Sequence, residues 1–343
     1  MSNAKLQTGL TPQALAAGNF SAVVHRFAQG GVRVRLPGAG MLQLRTSTPA
    51  AMQLLISVGV HGNETAPIEM LAPVLDSLAC TPANLAVDLL VVVGNPAALA
   101  IGSRFIDADL NRLFCTGRGG LKDAAEAVRA DDIMRASADF FDGSGAARWH
   151  LDLHSAIRPS RYARFAIVPA PADDPAQSPL LRWLGSAAID AVLFNSQRAP
   201  TYSAYTAAEL GALSCTAELG QIGVLGQNLL QQLARTQAAL AALLAGQAMA
   251  AVGDMLARFR VAQEIIKRSD DFRMNIEDTT HNFTAMAPGA VIATDGGIAM
   301  RVGTVTEYIV FPNPGVLVGQ RAGLMVVHEP AASAGSDCVR QET

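Results

Sequence analysis

The segment SVGVHGNETAP, residues 57–67, joins a strand-like pattern to a helix-like pattern. The apolar run LLISVGV is typical of a buried strand, whereas ETAPIEMLAPVLDSLA predicts a helix with Asn63 as its N-cap and Pro67 in its first turn. His61 and Glu64 lie in the turn between the two. Because both side chains can bind metals and transfer protons, this turn indicates a functional site at the carboxyl end of a strand.

The following two hundred residues repeat this alternation of apolar runs and helix-like segments. Continuous apolar strands with helical connections predict a mostly parallel sheet that is covered by helices on both faces. The segment NLLQQLARTQAALAALLAGQAMA, residues 228–250, is rich in Ala, Leu and Gln and predicts a long helix that closes this region. The predicted strands are MQLLISVGV, LAVDLLVVVG, WHLDLH, RFAIVP, DAVLFN and LSCTAELG.

The pattern changes after about residue 255, where short β-rich segments are punctuated by Gly and Pro. These segments are FRVAQEIIKRS, GAVIAT, GIAMRVG, EYIVFPN and AGLMVVHE. We therefore expect an α/β fold in two domains. Residues 1–254 are predicted to hold a mostly parallel or mixed sheet flanked by helices, and residues 255–343 a smaller β-rich domain.

The composition excludes several classes of protein. Half of the 343 residues are hydrophobic, 16% are charged and the formal net charge is -3, which is typical of a globular chain. No Lys- or Arg-rich block indicates a nucleic-acid partner. No apolar run is long enough to span a membrane, and the N-terminus lacks the pattern of a signal peptide. The sequence thus predicts neither a nucleic-acid nor a membrane partner.

The four cysteines are scattered and have no CxxC spacing. A disulfide framework and a cysteine-rich zinc site are therefore not expected, and a reducing cytoplasm fits best. The residues are Cys80, Cys115, Cys215 and Cys338.

Polar residues follow several of the predicted strands. His61 and Glu64 follow the first strong strand, and His154 follows WHLDL. Glu218 follows LSCTA, and Asn95 follows LLVVVG. Because ligands of open α/β sheets bind at the carboxyl ends of the strands, we expect these distant residues to converge at one edge of the sheet.

Two histidines and a glutamate are a ligand set typical of zinc. His61, Glu64 and His154 would leave the fourth position of one Zn²⁺ per chain open for water, whose pKa the zinc lowers. Glu218 would remain free as the general base. Asp152 precedes His154 by two residues and points to the same side of a strand, so it is predicted to orient a ligand. The ligand types leave cobalt and manganese as alternatives.

Each of these residues taken alone has a simpler interpretation. A histidine at a strand end is usually a loop or cap residue, and a glutamate in TAELG is usually solvated. We expect His150, which shares strand parity with His154, to be buried and hydrogen-bonded rather than a ligand. His25, His281 and His328 have no partners that would make a metal site. Only the joint pattern indicates a metal centre.

The segment GSRFIDADLNRLF adds cations to this pattern. Its Arg104 and Arg112, together with Asn111, suit the binding of carboxylates, because guanidinium groups bind them with two hydrogen bonds. The alternative is that Arg112 pairs with Asp107 or Asp109 on a solvated loop.

Together, GVHGNETAP, NPAALAIGSRFIDADLNRLF, DLHSAIR and TAELG resemble the succinylglutamate desuccinylase/aspartoacylase branch of the zinc carboxypeptidase-like fold. The resemblance covers about residues 50–230, and the joint motif set is highly specific. It implies that His61, Glu64 and His154 bind zinc and that Glu218 is the catalytic glutamate.

The same resemblance implies roles for the cations. Arg104 would stabilise the tetrahedral oxyanion, and Asn111 and Arg112 would hold a carboxylate of the substrate. It also implies a β-rich C-terminal domain that leans over the active site.

The expected activity is zinc-dependent hydrolysis of N2-succinyl-L-glutamate to succinate and L-glutamate, in arginine breakdown by the succinyltransferase route. In aspartoacylases, an arginine and a tyrosine that precede the catalytic glutamate help to bind the acidic substrate. The corresponding stretch here, TYSAYTAAELGALSC, has no arginine, which argues against an aspartoacylase. Arg158, Arg161 and Arg164 are candidates for other substrate contacts. The alternatives are a deacylase of another N-acyl amino acid and a protein that binds zinc or an acidic ligand without turnover. The oligomeric state stays open, with a homo-oligomer as one alternative.

Overall fold

The computed structural model of the chain describes residues 9–143, 145–248 and 256–329. Short 3₁₀ helices occur at Pro82–Asn84, Leu110–Arg112, Gly119–Leu121, Pro175–Gln177 and Leu230–Leu233. The α-helices of these ranges are α1 (Pro12–Ala16), α2 (Ser21–Gln29), α3 (Ala66–Cys80), α4 (Pro96–Ala100), α5 (Ala125–Phe141), α6 (Ser178–Ser186), α7 (Tyr202–Leu210) and α8 (Ala234–Leu244).

The strands of the part of the chain before residue 249 lie between these helices. They are β1 (Arg33–Arg35), β2 (Met41–Arg45), β3 (Met52–Val58), β4 (Asp88–Val93), β5 (Ala147–Ala156), β6 (Phe165–Val168), β7 (Ala191–Phe194) and β8 (Leu213–Gln221). The strands after residue 255 are β9 (Ala257–Ile266), β10 (Arg273–Met274), β11 (Thr284–Met286), β12 (Val291–Asp295), β13 (Ile298–Arg301), β14 (Glu307–Val310) and β15 (Arg321–His328).

Twelve strands form one sheet in the order β1-β2-β4-β3-β5-β8-β6-β7-β9-β15-β14-β11, and β10, β12 and β13 form a second sheet. Strands β4, β3, β5 and β8 run parallel to one another. Strand β6 is antiparallel to β8 and parallel to β7. The prediction of an α/β fold with a mostly parallel or mixed sheet, flanked by helices, is confirmed.

Both faces of the central strands are buried, which explains their continuous apolar sequences. Leu54, Ile56 and Val58 of β3 belong to a core that also contains side chains from α1, α2, α3, α6 and α8. Leu55 points to the opposite face, where it belongs to a core formed largely with α5. The two-residue period of the strand thus supplies apolar side chains to two separate layers of helices.

Two of the predicted helix boundaries are wrong. Helix α3 begins at Ala66 with Thr65 as its N-cap, so Asn63 does not cap it, although Pro67 lies in the first turn as predicted. The helix predicted for residues 228–250 begins as a 3₁₀ turn and continues as α8 only to Leu244. Gly246 follows with a φ of 63°, a conformation that ends helices readily because glycine has no Cβ.

Four of the described C-terminal strands, β9, β15, β14 and β11, extend the main sheet, whereas β10, β12 and β13 form the second sheet. Strand β9 pairs in parallel with β7, with Ala191 opposite Ala257. Phe165 and Leu193 share one apolar core with Phe259 and other C-terminal side chains. The predicted boundary at residue 254 falls outside the described residues, and the division into two domains stays a prediction.

Two further observations concern the chain as a whole. In the described ranges, no helix has both the length and the apolarity required to cross a membrane. Cys80, Cys115 and Cys215 are free thiols, and Cys338 lies outside the described residues.

Candidate active site

The turn between β3 and α3 holds His61 and Glu64, both of which are 3% exposed. Gly62 lets this turn pack closely on helix α4, because a Cβ at this position would lie 2.2 Å from the carbonyl carbon of Ala98. Its amide also donates a hydrogen bond of 3.1 Å to the carbonyl oxygen of Arg104. The glycine between the two polar residues is thus a packing requirement that fixes where their side chains point.

Strands β5 and β8 bring two further polar residues to the same edge of the sheet. Strand β5 lies between β3 and β8, and it runs parallel to both. In this register, His154 of β5 pairs directly with Glu218 of β8. His154 and Glu218 are 2% and 7% exposed, so both ionisable groups are buried where the strands end.

The structure brings His61, Glu64 and His154 together as a candidate metal centre. One ligand atom from each of the three residues lies within 4.8 Å of the other two. The Nδ1 atom of His61 is 2.7 Å from Glu64 Oε1, and the Nδ1 atom of His154 is 2.8 Å from Glu64 Oε2. Two imidazole nitrogens and a carboxylate therefore face one point, which is the arrangement required of three ligands to one cation.

Each histidine also has a carboxylate beside its second nitrogen. The Nε2 atom of His61 lies 2.9 Å from Asp109 Oδ1, and the Nε2 atom of His154 lies 3.0 Å from Asp152 Oδ2. Each imidazole therefore lies between two carboxylates, with Glu64 beside both Nδ1 atoms. A cation bound at the two Nδ1 atoms would leave the Nε2 sides to Asp109 and Asp152, as in metal sites whose histidines are oriented by carboxylates.

The electrostatics of the cluster indicate that it requires positive charge. Burial alone would lower the pKa of His61, but Glu64 and Asp109 outweigh it and raise the pKa. Asp152 and Glu64 likewise raise the pKa of His154 well above its usual value, against the effect of burial. Burial would raise the pKa of Glu64, but the two histidines hold it well below its usual range. A divalent cation would replace the two imidazolium protons, so the residues present fit a metal ion.

Glu218 differs from the other carboxylates because its pKa is raised, although the charges of His154, His61 and Arg104 oppose the rise. Burial, and then the negative charge of Glu64, raise its pKa to about 7. Its Oε2 atom is buried and has no hydrogen-bond partner among the described residues. A carboxyl group with a pKa near neutrality, next to a candidate metal centre, is suited to exchanging protons with a substrate.

Arg104 lies at the rim of the metal centre. Its Nη1 donates a hydrogen bond of 2.9 Å to Glu64 Oε1, and its Nη2 lies 3.0 Å from His61 Nε2. Its side chain is 29% exposed and also lies 3.6 Å from Asp109 Oδ2. The guanidinium thus stands between the cluster and the open pocket.

Asn111 and Arg112 lie in the 3₁₀ turn Leu110–Arg112, next to this centre. The Oδ1 atom of Asn111 accepts a hydrogen bond of 2.8 Å from the amide of Tyr202, so its NH₂ group remains to face the pocket. In the described ranges, no carboxylate lies within ion-pair distance of Arg112, whose Nη1 donates only to the carbonyl of Asn111. The solvated ion pair considered for Arg112 is therefore not formed.

A cavity of about 390 Å³ lies above these residues. The carboxyl ends of the parallel strands form its floor, and C-terminal residues form part of its wall. Besides the predicted site residues, its lining includes Ser155 to Arg158 at the end of β5 and just after it, side chains between residues 195 and 204 before and within α7, and C-terminal residues such as Asn282, Phe311 and Arg321.

Three sequence-based expectations about nearby residues have different outcomes. His150 is buried and hydrogen-bonded, to Ser57 and Thr206, as predicted. Asn95 does not join the cluster, because its side chain caps α4 and donates to Glu126.

Of the three arginines after His154, Arg158 lines the cavity, whereas Arg161 and Arg164 do not. Arg164 instead donates to the carbonyl of Ala188 and forms an ion pair with Asp190.

Two residues of the site were not predicted from the sequence. Asp109 was considered only as a partner for Arg112, yet it lies against His61. In the sequence, the only indication that Asp109 belongs to the site was its position two residues before Asn111 in DADLNR. Arg321 lines the cavity from β15 and has no local motif that distinguishes it from other arginines.

Comparison with known proteins gives matches over both parts of the chain. Residues 50–244 match the family model for the Succinylglutamate desuccinylase/Aspartoacylase catalytic domain. Residues 254–329 match the model for the AstE/AspA barrel-sandwich hybrid domain.

Similar proteins cover most of the chain. The succinylglutamate desuccinylase of Serratia proteamaculans is 40% identical over 295 residues, which are 86% of this chain and 90% of that protein. The succinylglutamate desuccinylase of Burkholderia thailandensis is 41% identical over 318 residues, 91% of each chain. An X-ray structure of the Vibrio parahaemolyticus enzyme of the same name superposes with a TM-score of 0.80 at 32% identity, covering 87% of this chain and 89% of that one.

Proposed function

This chain belongs to the succinylglutamate desuccinylase/aspartoacylase family, and we propose that it is a zinc-dependent hydrolase of N-succinyl-L-glutamate. The products are succinate and L-glutamate. The observation that carries the proposal is the buried cluster of His61, Glu64 and His154, which lies on the floor of a cavity beside the raised-pKa carboxyl of Glu218.

We assign His61, Glu64 and His154 as the ligands of one zinc ion per chain. Two imidazoles and one carboxylate are a common ligand set of catalytic zinc sites, which keep an open position. Zinc bound there would supply Lewis-acid activation of water and of the amide carbonyl. With zinc bound at the Nδ1 atoms, Asp109 and Asp152 would orient the two imidazoles through the contacts to their Nε2 atoms.

Glu218 moves the proton in this mechanism. Its carboxylate takes a proton from the attacking water as the oxygen bonds to the amide carbon. The protonated Glu218 then gives this proton to the leaving nitrogen as the carbon–nitrogen bond breaks, which releases the amino group of glutamate. Burial raises the pKa of Glu218 above its usual value, which brings it closer to neutrality and suits a group that must both accept and donate a proton.

The arginines stabilise the negative charges of the substrate and of the transition state. Arg104, at the rim of the metal centre, is positioned to donate to the oxyanion that forms from the amide carbonyl. Arg112 and the NH₂ group of Asn111 bind a substrate carboxylate, because neither group is used by a carboxylate of the protein itself.

The activity implies a role in arginine breakdown by the succinyltransferase route, acting on a small molecule in the cytoplasm. In this proposal, residues 1–254 supply the metal and the catalytic groups. The β-rich domain predicted for residues 255–343 would complete the wall of the substrate cavity, to which Asn282, Phe311 and Arg321 contribute.

The test is the release of free amine from N-succinylglutamate, N-acetylglutamate and N-acetylaspartate, before and after removal of metal with a chelator. We expect hydrolysis of the succinyl substrate, its loss after chelation and its recovery with added zinc. Parallel additions of cobalt and manganese identify which metals support turnover. Preference for an acetyl substrate would contradict the assigned substrate. Stoichiometric zinc without hydrolysis of any substrate would contradict the enzymatic function.

A further inference from the structure

The cavity contains more cations than the catalytic steps use. Arg104 and Arg112 have the roles given above, and Arg158 and Arg321 also line the cavity. Arg158 is already engaged, because its guanidinium donates to the backbone carbonyls of Glu277 and Asp278. Arg321 is the remaining arginine of the cavity lining, and the catalytic steps assign it no role.

Arg321 comes from the first position of β15, on the C-terminal side of the cavity. Its Nη1 atom lies 3.2 Å from Oε1 of Glu264 on the neighbouring strand β9, and its side chain is 23% exposed. One carboxylate oxygen at this distance occupies only part of a guanidinium, which has five N–H donors. The remaining donors are available to a ligand in the cavity.

Arg112 and Arg321 act on each other electrostatically. Burial lowers the pKa of Arg112, and the positive charges of Arg321 and Arg104 lower it further, against the opposing effect of Asp109. Two guanidinium groups that repel each other across a cavity destabilise the empty site. A carboxylate bound between them would relieve this repulsion, because opposite charges at short range favour both charged forms.

We propose that Arg321 is a specificity-determining residue, which together with Arg112 binds one of the carboxylates of the substrate. This inference rests on the proposed function, since N-succinylglutamate carries three carboxylates beside the amide that is cleaved. The strand β15 thereby gives the C-terminal part of the chain a direct contact with the substrate. Substrates that lack the recognised carboxylate are rejected because Arg112, whose only hydrogen-bond partner among the described residues is a carbonyl, then remains without an anion.

The experiment combines Arg321→Gln with substrates that each lack one carboxylate. N-succinylglutamine lacks the side-chain carboxylate, N-succinylisoglutamine lacks the α-carboxylate, and N-butanoylglutamate lacks the carboxylate of the acyl group. We expect the wild-type protein to prefer N-succinylglutamate over all three. Arg321→Gln should lower kcat/KM for N-succinylglutamate at least about tenfold and remove the preference over one analogue only, as expected for one charged hydrogen-bonded contact. The analogue identifies the carboxylate.

Glu264→Gln is the matched control. It removes the same ion pair but keeps the guanidinium of Arg321, so we expect it to retain the substrate preference. An equal loss of preference in both variants would mean that the ion pair acts through the fold, and would overturn the proposal. Binding of N-succinylglutamate, measured by calorimetry in a Glu218→Gln background with and without Arg321→Gln, gives a readout independent of turnover. We expect Kd to rise at least about tenfold.

The two proposals fail in different ways. A wild-type protein that does not hydrolyse N-succinylglutamate contradicts the proposed function. An active wild-type protein, whose Arg321→Gln variant keeps its kcat/KM, its Kd and its preference over all three analogues, contradicts the role of Arg321 alone.

Discussion

At the scale of single residues, the environment of each carboxylate decides its chemistry. Glu64, Asp109 and Asp152 each face a histidine, and their pKa values are lowered even though burial opposes this. For Glu218, burial and the charge of Glu64 outweigh the two histidines, and its pKa is raised. In the proposed mechanism the same functional group thus serves as a ligand, as two orienting anions and as a proton carrier, according to the charges beside it.

We predict that Glu218→Gln retains the metal and loses nearly all turnover. The amide keeps the volume of the side chain but cannot carry the proton, a change that typically costs 10²–10⁴-fold in rate. The measurements are kcat for N-succinylglutamate and zinc content by atomic absorption. Glu209→Gln, which changes an exposed glutamate on α7, is the matched control. Near-normal turnover of the Glu218→Gln protein would remove the proton-transfer assignment.

The raised pKa of Glu218 also predicts a dependence on pH. The base must be ionised, so kcat/KM should fall as pH decreases through the pKa of Glu218. Burial places this pKa at about 7 in the metal-free protein, and a cation in the neighbouring cluster lowers it. We therefore expect an acid limb with a midpoint between about 4.5 and 7. Zinc content must be measured at each pH, and a rate that is flat over this range at constant zinc would contradict the prediction.

At the scale of structural elements, the segment before the 3₁₀ turn at Leu110 is fixed to helix α5. Glu126, in the first turn of α5, accepts hydrogen bonds from the amides of Ile106, Asp107 and Ala108 at 2.6, 3.1 and 3.1 Å. It is 2% exposed and also accepts from the side chain of Asn95. One buried carboxylate thus holds the segment that carries Arg104 and Asp109 to the metal centre.

We predict that Glu126→Gln lowers kcat/KM without removing the fold. A glutamine has one acceptor oxygen where the carboxylate has two, so at least one buried amide loses its partner, at a cost of about 1–3 kcal/mol. The resulting shift of the segment should misplace Arg104 and reduce activity by at least about tenfold. Circular dichroism should remain unchanged while the melting temperature falls. Full activity in this variant would contradict the positioning role of Glu126.

At the scale of the whole molecule, the main sheet passes without interruption from the catalytic strands into the C-terminal strands. The pairing of β7 with β9 covers what would otherwise be an open edge. Phe165 and Leu193 are completely buried in a core that includes Phe259, Phe283 and Leu324. The C-terminal strands therefore stabilise the remainder of the chain in addition to forming the cavity wall.

We predict that a chain ending at residue 248 does not form a stable monomer. Truncation would expose the edge of β7 and the apolar side chains of Phe165 and Leu193, each of which contributes about 1.5–3 kcal/mol when fully buried. We expect aggregation, measured by soluble yield and size-exclusion chromatography. A chain ending at residue 329 keeps all of these contacts and is the control. Cooperative unfolding of a soluble 1–248 fragment would contradict this prediction.

The sequence predicted the features that depend on local pattern. The apolar runs indicated the strands of the catalytic part because burial on both faces requires continuous hydrophobic residues. The resemblance of the motifs to the family is confirmed, as is the fold class. The convergence of His61, Glu64, His154 and Glu218 followed from parallel strands, whose carboxyl ends share one edge.

Other features were decided only by the tertiary structure. Asn95 follows a strand as the site residues do, but it is used to cap α4 and to bind Glu126. Thr65 occupies the N-cap position of α3, but its side chain donates to the carbonyl of Gly223 instead of capping the helix. The end of α8 depends on a single glycine conformation.

What the sequence predicted and what the structure shows differ most in the positions of segments that are distant along the chain. The sequence by itself determined the fold class and indicated the residues of the candidate metal centre, because periodicity and strand ends are local properties. The tertiary structure alone decided that β9 joins the main sheet at β7, that Asp109 lies against His61, and that Arg321 faces the cavity that contains Arg112. Contacts between distant segments depend on how the strands are ordered and packed, and no local pattern contains that information.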